Sequence, residues 1–108
     1  MTDTEAMRTR LERSLAELRA RQAHVAQNLA EPPHPDSAER AVEAEDDQAL
    51  EGQAALVGRE IASVRRALER IDAGKYGECV RCGADIAPAR LEARPEAALC
   101  IDCARAVG

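Results

Sequence analysis

Aromatic side chains are nearly missing from this chain. Tyr76 is the single one among 108 residues, and there is no Phe or Trp. Aromatic residues usually carry much of a domain's buried area, so a large globular core is excluded. A row of rings on which single-stranded bases would stack is excluded too. Long apolar runs are also missing, which leaves nothing of membrane-spanning length. The opening residues Met1-Thr2-Asp3-Thr4-Glu5 carry acids and no apolar stretch, so they do not read as a secretory leader. Positive charge is not in excess: the net charge is −5. A nucleic-acid-binding module wants a basic face, and the balance here argues against one. Histidine is limited to His24 and His34, both far in sequence from the cysteines and read as surface residues. No nucleophile–base arrangement is evident, so the sequence does not point to an enzyme.

What the chain does have is four cysteines, Cys79, Cys82, Cys100 and Cys103. They form two CxxC pairs separated by seventeen residues. A CxxC turn can aim both sulfurs at one point, and two such turns supply a tetrahedron of thiolates. That suits one Zn²⁺ ion in a structural role, because four protein sulfurs leave no open position for water or substrate. Gly83 follows the first pair, where a tight knuckle can need a positive φ. Arg81, Arg90, Arg94 and Arg105 lie in or beside the module and would offset its excess negative charge. Other chemistries fit less well. A redox CxxC wants a βαβ context, paired disulfides suit a secreted mini-protein, and iron–sulfur spacings usually differ from this one. A thin core also needs a staple, which the metal would provide. Four reduced thiols holding zinc fit a cytoplasmic protein.

The rest of the chain is expected to be helical. Leu11, Leu15, Leu18, Val25 and Leu29 mark one stripe over about Thr4 to Ala30, with Gln22 in the gap and Thr2 or Asp3 as cap. The segment Glu31-Pro32-Pro33-His34-Pro35-Asp36 must break the helix. From about Ser37 to Ala73, Leu50, Ala54, Val57, Ile61, Val64, Leu68 and Ile71 keep an unbroken 4-3 rhythm, the repeat of a coiled coil. Gly74 is placed to end that helix. The expected fold is therefore mainly α. A long antiparallel two-helix coiled-coil hairpin (residues 1–75, tip 31–41) is followed by a small four-cysteine zinc finger (residues 76–108). A turn near Pro33 would set Leu18 opposite Leu50 and Leu11 opposite Val57. The second helix would extend about 55 Å. A plain two-helix core or a dimerising coil is the simpler reading of the same stripe.

Charge is concentrated. Residues 31–51 hold eight acids and one base, Arg40, for −7, while the remainder carries +2. Asp36 and Glu39 also fit a capping box, with Asp36 at the N-cap and Glu39 reaching back from the first turn.

Three stretches, Tyr76-Gly77-Glu78-Cys79-Val80-Arg81-Cys82-Gly83, Arg90-Leu91-Glu92-Ala93-Arg94-Pro95 and Leu99-Cys100-Ile101-Asp102-Cys103, resemble the zinc finger of the DksA/TraR family. The resemblance extends back through the second helix to the turn. There the family's tip motif D-x-x-D-x-A is similar to Asp36-Ser37-Ala38-Glu39-Arg40-Ala41, with Glu39 one methylene longer than the family's acid. The resemblance implies a bacterial transcription regulator that binds RNA polymerase rather than DNA. In that family the coil enters the polymerase secondary channel, and the tip, here Asp36, Glu39 and Ala41, modulates initiation.

The basic cluster with which longer members hold the alarmone ppGpp is represented by Arg94. Ser63 and Ala104 stand where lysines are expected, which implies a weak ppGpp linkage. The short N-terminal region and the five residues after Cys103 suggest a compact or accessory member. The readings that compete with this one are a nucleic-acid-binding zinc ribbon and a thiol redox sensor.

Overall fold

The computed structural model describes residues 3–29 and 37–107, with side-chain surroundings described for residues 3–27 and 51–107. Four helices follow in order: α1 (Thr4–Leu29), α2 (Ser37–Asp72), α3 (Pro88–Ala93) and α4 (Ile101–Val107). Among the described residues extended pairing is limited to one isolated antiparallel bridge between Glu78 and Asp85. No helix among them is long and apolar enough to cross a membrane.

The helix ends follow from local chemistry. Asp3 caps α1: its Oδ1 accepts from the Ala6 N–H at 3.2 Å and its carbonyl from the Met7 N–H at 3.0 Å. An N-cap carboxylate in this place satisfies an otherwise orphaned donor and favours the positive end of the helix dipole. At the far end of α2, Lys75 N–H donates to Arg70 O at 2.8 Å and Gly74 N–H to Ile71 O at 3.1 Å. This crossed pair, with Gly74 at φ +72°, is a Schellman stop, as the glycine after Ala73 leads one to expect. α3 begins with Pro88, whose missing N–H costs nothing in the first turn.

The chain forms two compact units, Met1–Leu15 with Ala62–Gly108, and Ala16–Ile61. In the first, Met7 and Leu11 of α1 and Val64, Ala67 and Ile71 of α2 are buried. Arg8 Nη1 lies 2.9 Å from Asp72 Oδ1, so the start of α1 runs beside the end of α2 and the helices are antiparallel. In the second unit Leu18, Val25 and Val57 are buried.

The seam differs from the sequence expectation in two ways. Among the described side chains of the α2 rhythm, Val57, Val64 and Ile71 are fully buried, while Ala54, Ile61 and Leu68 are half-buried. A helix with a single partner has a narrow buried stripe, and Ala67 and Met7 complete it. Gln22 is exposed and does not fill the seam.

The register is also different. A turn centred near Pro33 would place Arg8 beside about position 60, some 18 Å along α2 from Asp72 at 1.5 Å per residue and beyond an arginine's reach. Leu11 therefore shares its unit with Val64, Ala67 and Ile71, whereas Val57 belongs to the other. A slip of about three turns presents an equivalent face of a regular helix, so the apolar rhythm alone does not distinguish the two registers. The other expected partners, Leu50, Val42, Leu29 and Ala38, lie outside the described side chains.

Leu18→Asp or Val57→Asp should destabilise the protein by roughly 3 kcal/mol or more, since each buries an unpaired charge. Exposed Arg66→Ala should stay within about 0.5 kcal/mol of wild type. Chemical denaturation followed by helix content checks this, and similar midpoints for all three variants would show the seam to be misassigned.

Candidate metal centre

The C-terminal module grows directly from the α2 stop. The backbone from Gly77 to Ile86 folds back on itself, with Ile86 N–H donating to Gly77 O and Cys79 N–H to Ala84 O, both at 2.8 Å. Inside this loop Gly83 N–H donates to Cys79 O at 2.9 Å, and Gly83 has φ +78°, a conformation that L side chains rarely adopt. The first CxxC pair thus lies on a tight knuckle. Cys79, Ile86 and Leu91 form a small buried cluster, with Tyr76, Ala97, Leu99, Cys100 and Cys103 packed against it. The second pair lies at the start of α4, with Ala104 N–H donating to Cys100 O at 2.9 Å.

Two side chains tie the end of α2 and the linker to the segment before Cys100. Tyr76 donates its hydroxyl to Pro95 O at 2.9 Å, which satisfies the polar tip of the chain's one aromatic residue. Arg70 Nη2 reaches Glu96 O at 3.3 Å and Ala97 O at 3.5 Å. Burial holds the Arg70 pKa below its ordinary value and that of Tyr76 above. The sequence reading missed both contacts. Arg70 lies on the long helix and looks like any solvated cation. Its only sequence signal is its position in the last turn, where a basic side chain can serve nearby carbonyls.

The four cysteine sulfurs lie within 4.8 Å of one another. Cys82 and Cys100 sulfurs are 3.7 Å apart, too far for a disulfide of about 2.0 Å. A tetrahedral zinc site with bonds of about 2.3 Å has sulfur–sulfur edges of about 3.8 Å. The donor set therefore fits a tetrahedral thiophilic cation.

The local electrostatics are uneven. Backbone N–H groups of Cys100, then Cys82, lower the Cys79 pKa to about 6 against burial, with Arg81 N–H adding to them. Burial, followed by the neighbouring thiols of Cys100, Cys82 and Cys79, pushes Cys103 up to about 12. Cys79 and Cys103 are thus pushed in opposite directions, and a cation placed among the sulfurs would favour the thiolate form.

The remaining sequence candidates are placed as follows. Arg90 Nε donates to Leu99 O at 2.9 Å, and Arg94 pairs with Glu96 at 3.2 Å, so these two cations are engaged locally. Arg81 and Arg105 are exposed. Ser63 on α2 and Ala104 on α4 are both half-buried. Asp36 lies outside the described residues. Glu39 and Ala41 lie near the start of α2, with side chains outside them.

Comparison with known proteins covers both parts of the chain. Residues 74–107 match the family described as prokaryotic dksA/traR C4-type zinc finger, and residues 7–71 match the DnaK suppressor protein-like N-terminal domain. The RNA polymerase-binding transcription factor DksA of Haemophilus influenzae is 40% identical over 70 residues, 64% of this chain and 48% of that protein. The protein of the same name from Escherichia coli is 44% identical over 43 residues, 40% of this chain and 28% of that protein. The matched stretches therefore span less than half the length of these two relatives.

Among solved structures, transcription factor DksA2 from Pseudomonas aeruginosa superposes with a TM-score of 0.76 at 28% identity, covering 94% of this chain and 80% of that one. The DnaK suppressor protein from Agrobacterium tumefaciens gives 0.70 at 32% identity, covering 98% and 95%. With a long helical pair matched over residues 7–71 and a four-cysteine module matched over 74–107, the chain belongs to the DksA/TraR family.

Proposed function

We propose that this protein is a bacterial transcription regulator that acts by binding RNA polymerase. The observation that carries this reading is the match of both parts of the chain to one family, whose relatives in Haemophilus influenzae and Escherichia coli are named RNA polymerase-binding transcription factors. In this reading residues 1–75 act as a coiled-coil probe that enters the secondary channel, and residues 76–108 act as the zinc finger. Asp36, Glu39 and Ala41 form the tip that modulates initiation. The support for the tip is the −7 charge on residues 31–51 together with the motif spacing. The protein works in the cytoplasm, where its polymerase is, and does not bind DNA directly. Its response to ppGpp is weak, because Ser63 and Ala104 offer no cation beside Arg94.

One Zn²⁺ per chain, held by Cys79, Cys82, Cys100 and Cys103, has a structural role. The support is the close grouping of the four sulfurs and the small size of the buried cluster, Cys79, Ile86 and Leu91. So little apolar area does not order some thirty residues without a staple.

Metal analysis of purified protein should give one zinc per chain. Cys100→Ser should release it and disorder the finger while α1 and α2 keep helix content. A folded, reduced preparation with negligible metal would overturn the zinc assignment.

The functional reading is checked by capture of core RNA polymerase at moderate salt, paired with a reconstituted initiation assay. Asp36→Asn keeps a capping side chain and removes the charge, since Asn and Asp cap about equally well. The expected outcome is retained polymerase binding with loss of the effect on initiation, and Glu39→Asp should keep or increase activity. Unchanged activity of Asp36→Asn would sink the tip assignment. Failure of the wild type to bind core polymerase would sink the whole proposal.

A further inference from the structure

Cys100 is delivered by a segment without regular structure, yet every carbonyl from Arg94 to Leu99 meets a donor. Ala97 N–H donates to Arg94 O and Val80 N–H to Ala98 O, each at 2.9 Å. Tyr76 and Arg70 serve Pro95, Glu96 and Ala97. The last carbonyl, Leu99 O, accepts from Arg90 Nε at 2.9 Å.

That last contact differs from the others because of what shares its peptide. The Leu99 carbonyl and the Cys100 N–H belong to one planar unit, in which C=O and N–H point in opposite directions. Of the backbone N–H groups around the Cys79 sulfur, that of Cys100 does most to lower the Cys79 pKa. A group that holds Leu99 O therefore orients the peptide plane that leads into Cys100 and sets the direction of its N–H. Arg90 is suited to this. It lies on α3, beside Leu91, which is only 1% exposed and anchors that helix in the buried cluster. Its Nε–H is fixed in the guanidinium plane, unlike the rotatable donors of a lysine.

Resting on the reading of the four cysteines as metal ligands, we propose that Arg90 is a positioning residue of the metal centre. It holds the Leu99–Cys100 peptide so that Cys100 presents its sulfur to the ion and its N–H to the Cys79 sulfur, and it thereby sets metal affinity. Groups of this kind, outside the ligands themselves, typically account for about 10- to 100-fold in affinity.

The test uses the intact chain and Co²⁺ as probe, competed against a chelator, in wild type, Arg90→Ala, Arg90→Lys and Arg105→Ala. Arg105 is an exposed cation two residues past Cys103 and controls for charge alone. Arg90→Ala should lose about 10- to 100-fold in affinity, and Arg90→Lys should stay close to it, because the charge remains and the planar donor does not. Arg105→Ala, which removes one offsetting charge but no contact to the Leu99 carbonyl, should lose far less than Arg90→Ala. The thiolate-to-cobalt absorption band should shift in both Arg90 variants and not in Arg105→Ala, since it responds to N–H donation onto sulfur. A simple loss of fold stability would leave that band in place.

Wild-type affinity and an unshifted band in Arg90→Ala would overturn the proposal. So would full affinity in Arg90→Lys, or an equal loss in Arg105→Ala. If the wild type fails to bind Co²⁺, the metal reading itself falls, and the role of Arg90 falls with it.

Discussion

Four sulfur atoms within 4.8 Å of one another place a like-charge constraint on the C-terminal module. Neutral thiols in such a cluster have little to hold them together, and four thiolates repel. Backbone N–H groups meet part of this constraint by lowering the Cys79 pKa, whereas burial and the neighbouring thiols raise that of Cys103. A divalent cation would resolve the rest, because it attracts all four at once. The knuckle at Gly83, the loop closed by Ile86 and the short helix after Cys100 all serve to bring these sulfurs to a common point.

The helices meet this module at a firm junction. Gly74 stops α2 within one turn of Arg70, and Arg70 and Tyr76 then hold the segment before the second pair. α3 holds the same segment from its other end through Arg90. The polar contacts here are made almost wholly to carbonyl groups. This suits a region where regular structure is absent and each acceptor still needs a donor.

Much of this was legible in the sequence for identifiable reasons. Gly74 and Gly83 stand out because few residues tolerate their backbone angles, and the paired CxxC turns pointed to the four sulfurs that the fold brings together. Helix positions followed from the 4-3 rhythm. The register did not, because a regular apolar stripe looks the same after a slip of a few turns. The bond between Arg8 and Asp72 chooses between the alternatives, and it joins residues far apart in sequence. Ala67 lies off the 4-3 rhythm and its small side chain gives no signal, yet it is wholly buried. Arg70, Arg90 and Tyr76 act on main-chain oxygens, and main-chain acceptors leave no pattern of residue types to recognise.

The scarcity of aromatics gives the molecule an unusual optical property. Tyr76 is the one residue among Phe, Tyr and Trp in the chain, and its hydroxyl is bound to Pro95 O at the base of the cysteine module. Near-ultraviolet dichroism and intrinsic fluorescence therefore come from a single place. Events within residues 16–61 are silent in those signals, whereas loosening of the Pro95 segment reports directly. The protein carries a built-in single-site spectroscopic probe of its finger, and far-ultraviolet dichroism, dominated by α1 and α2, reads the remainder separately.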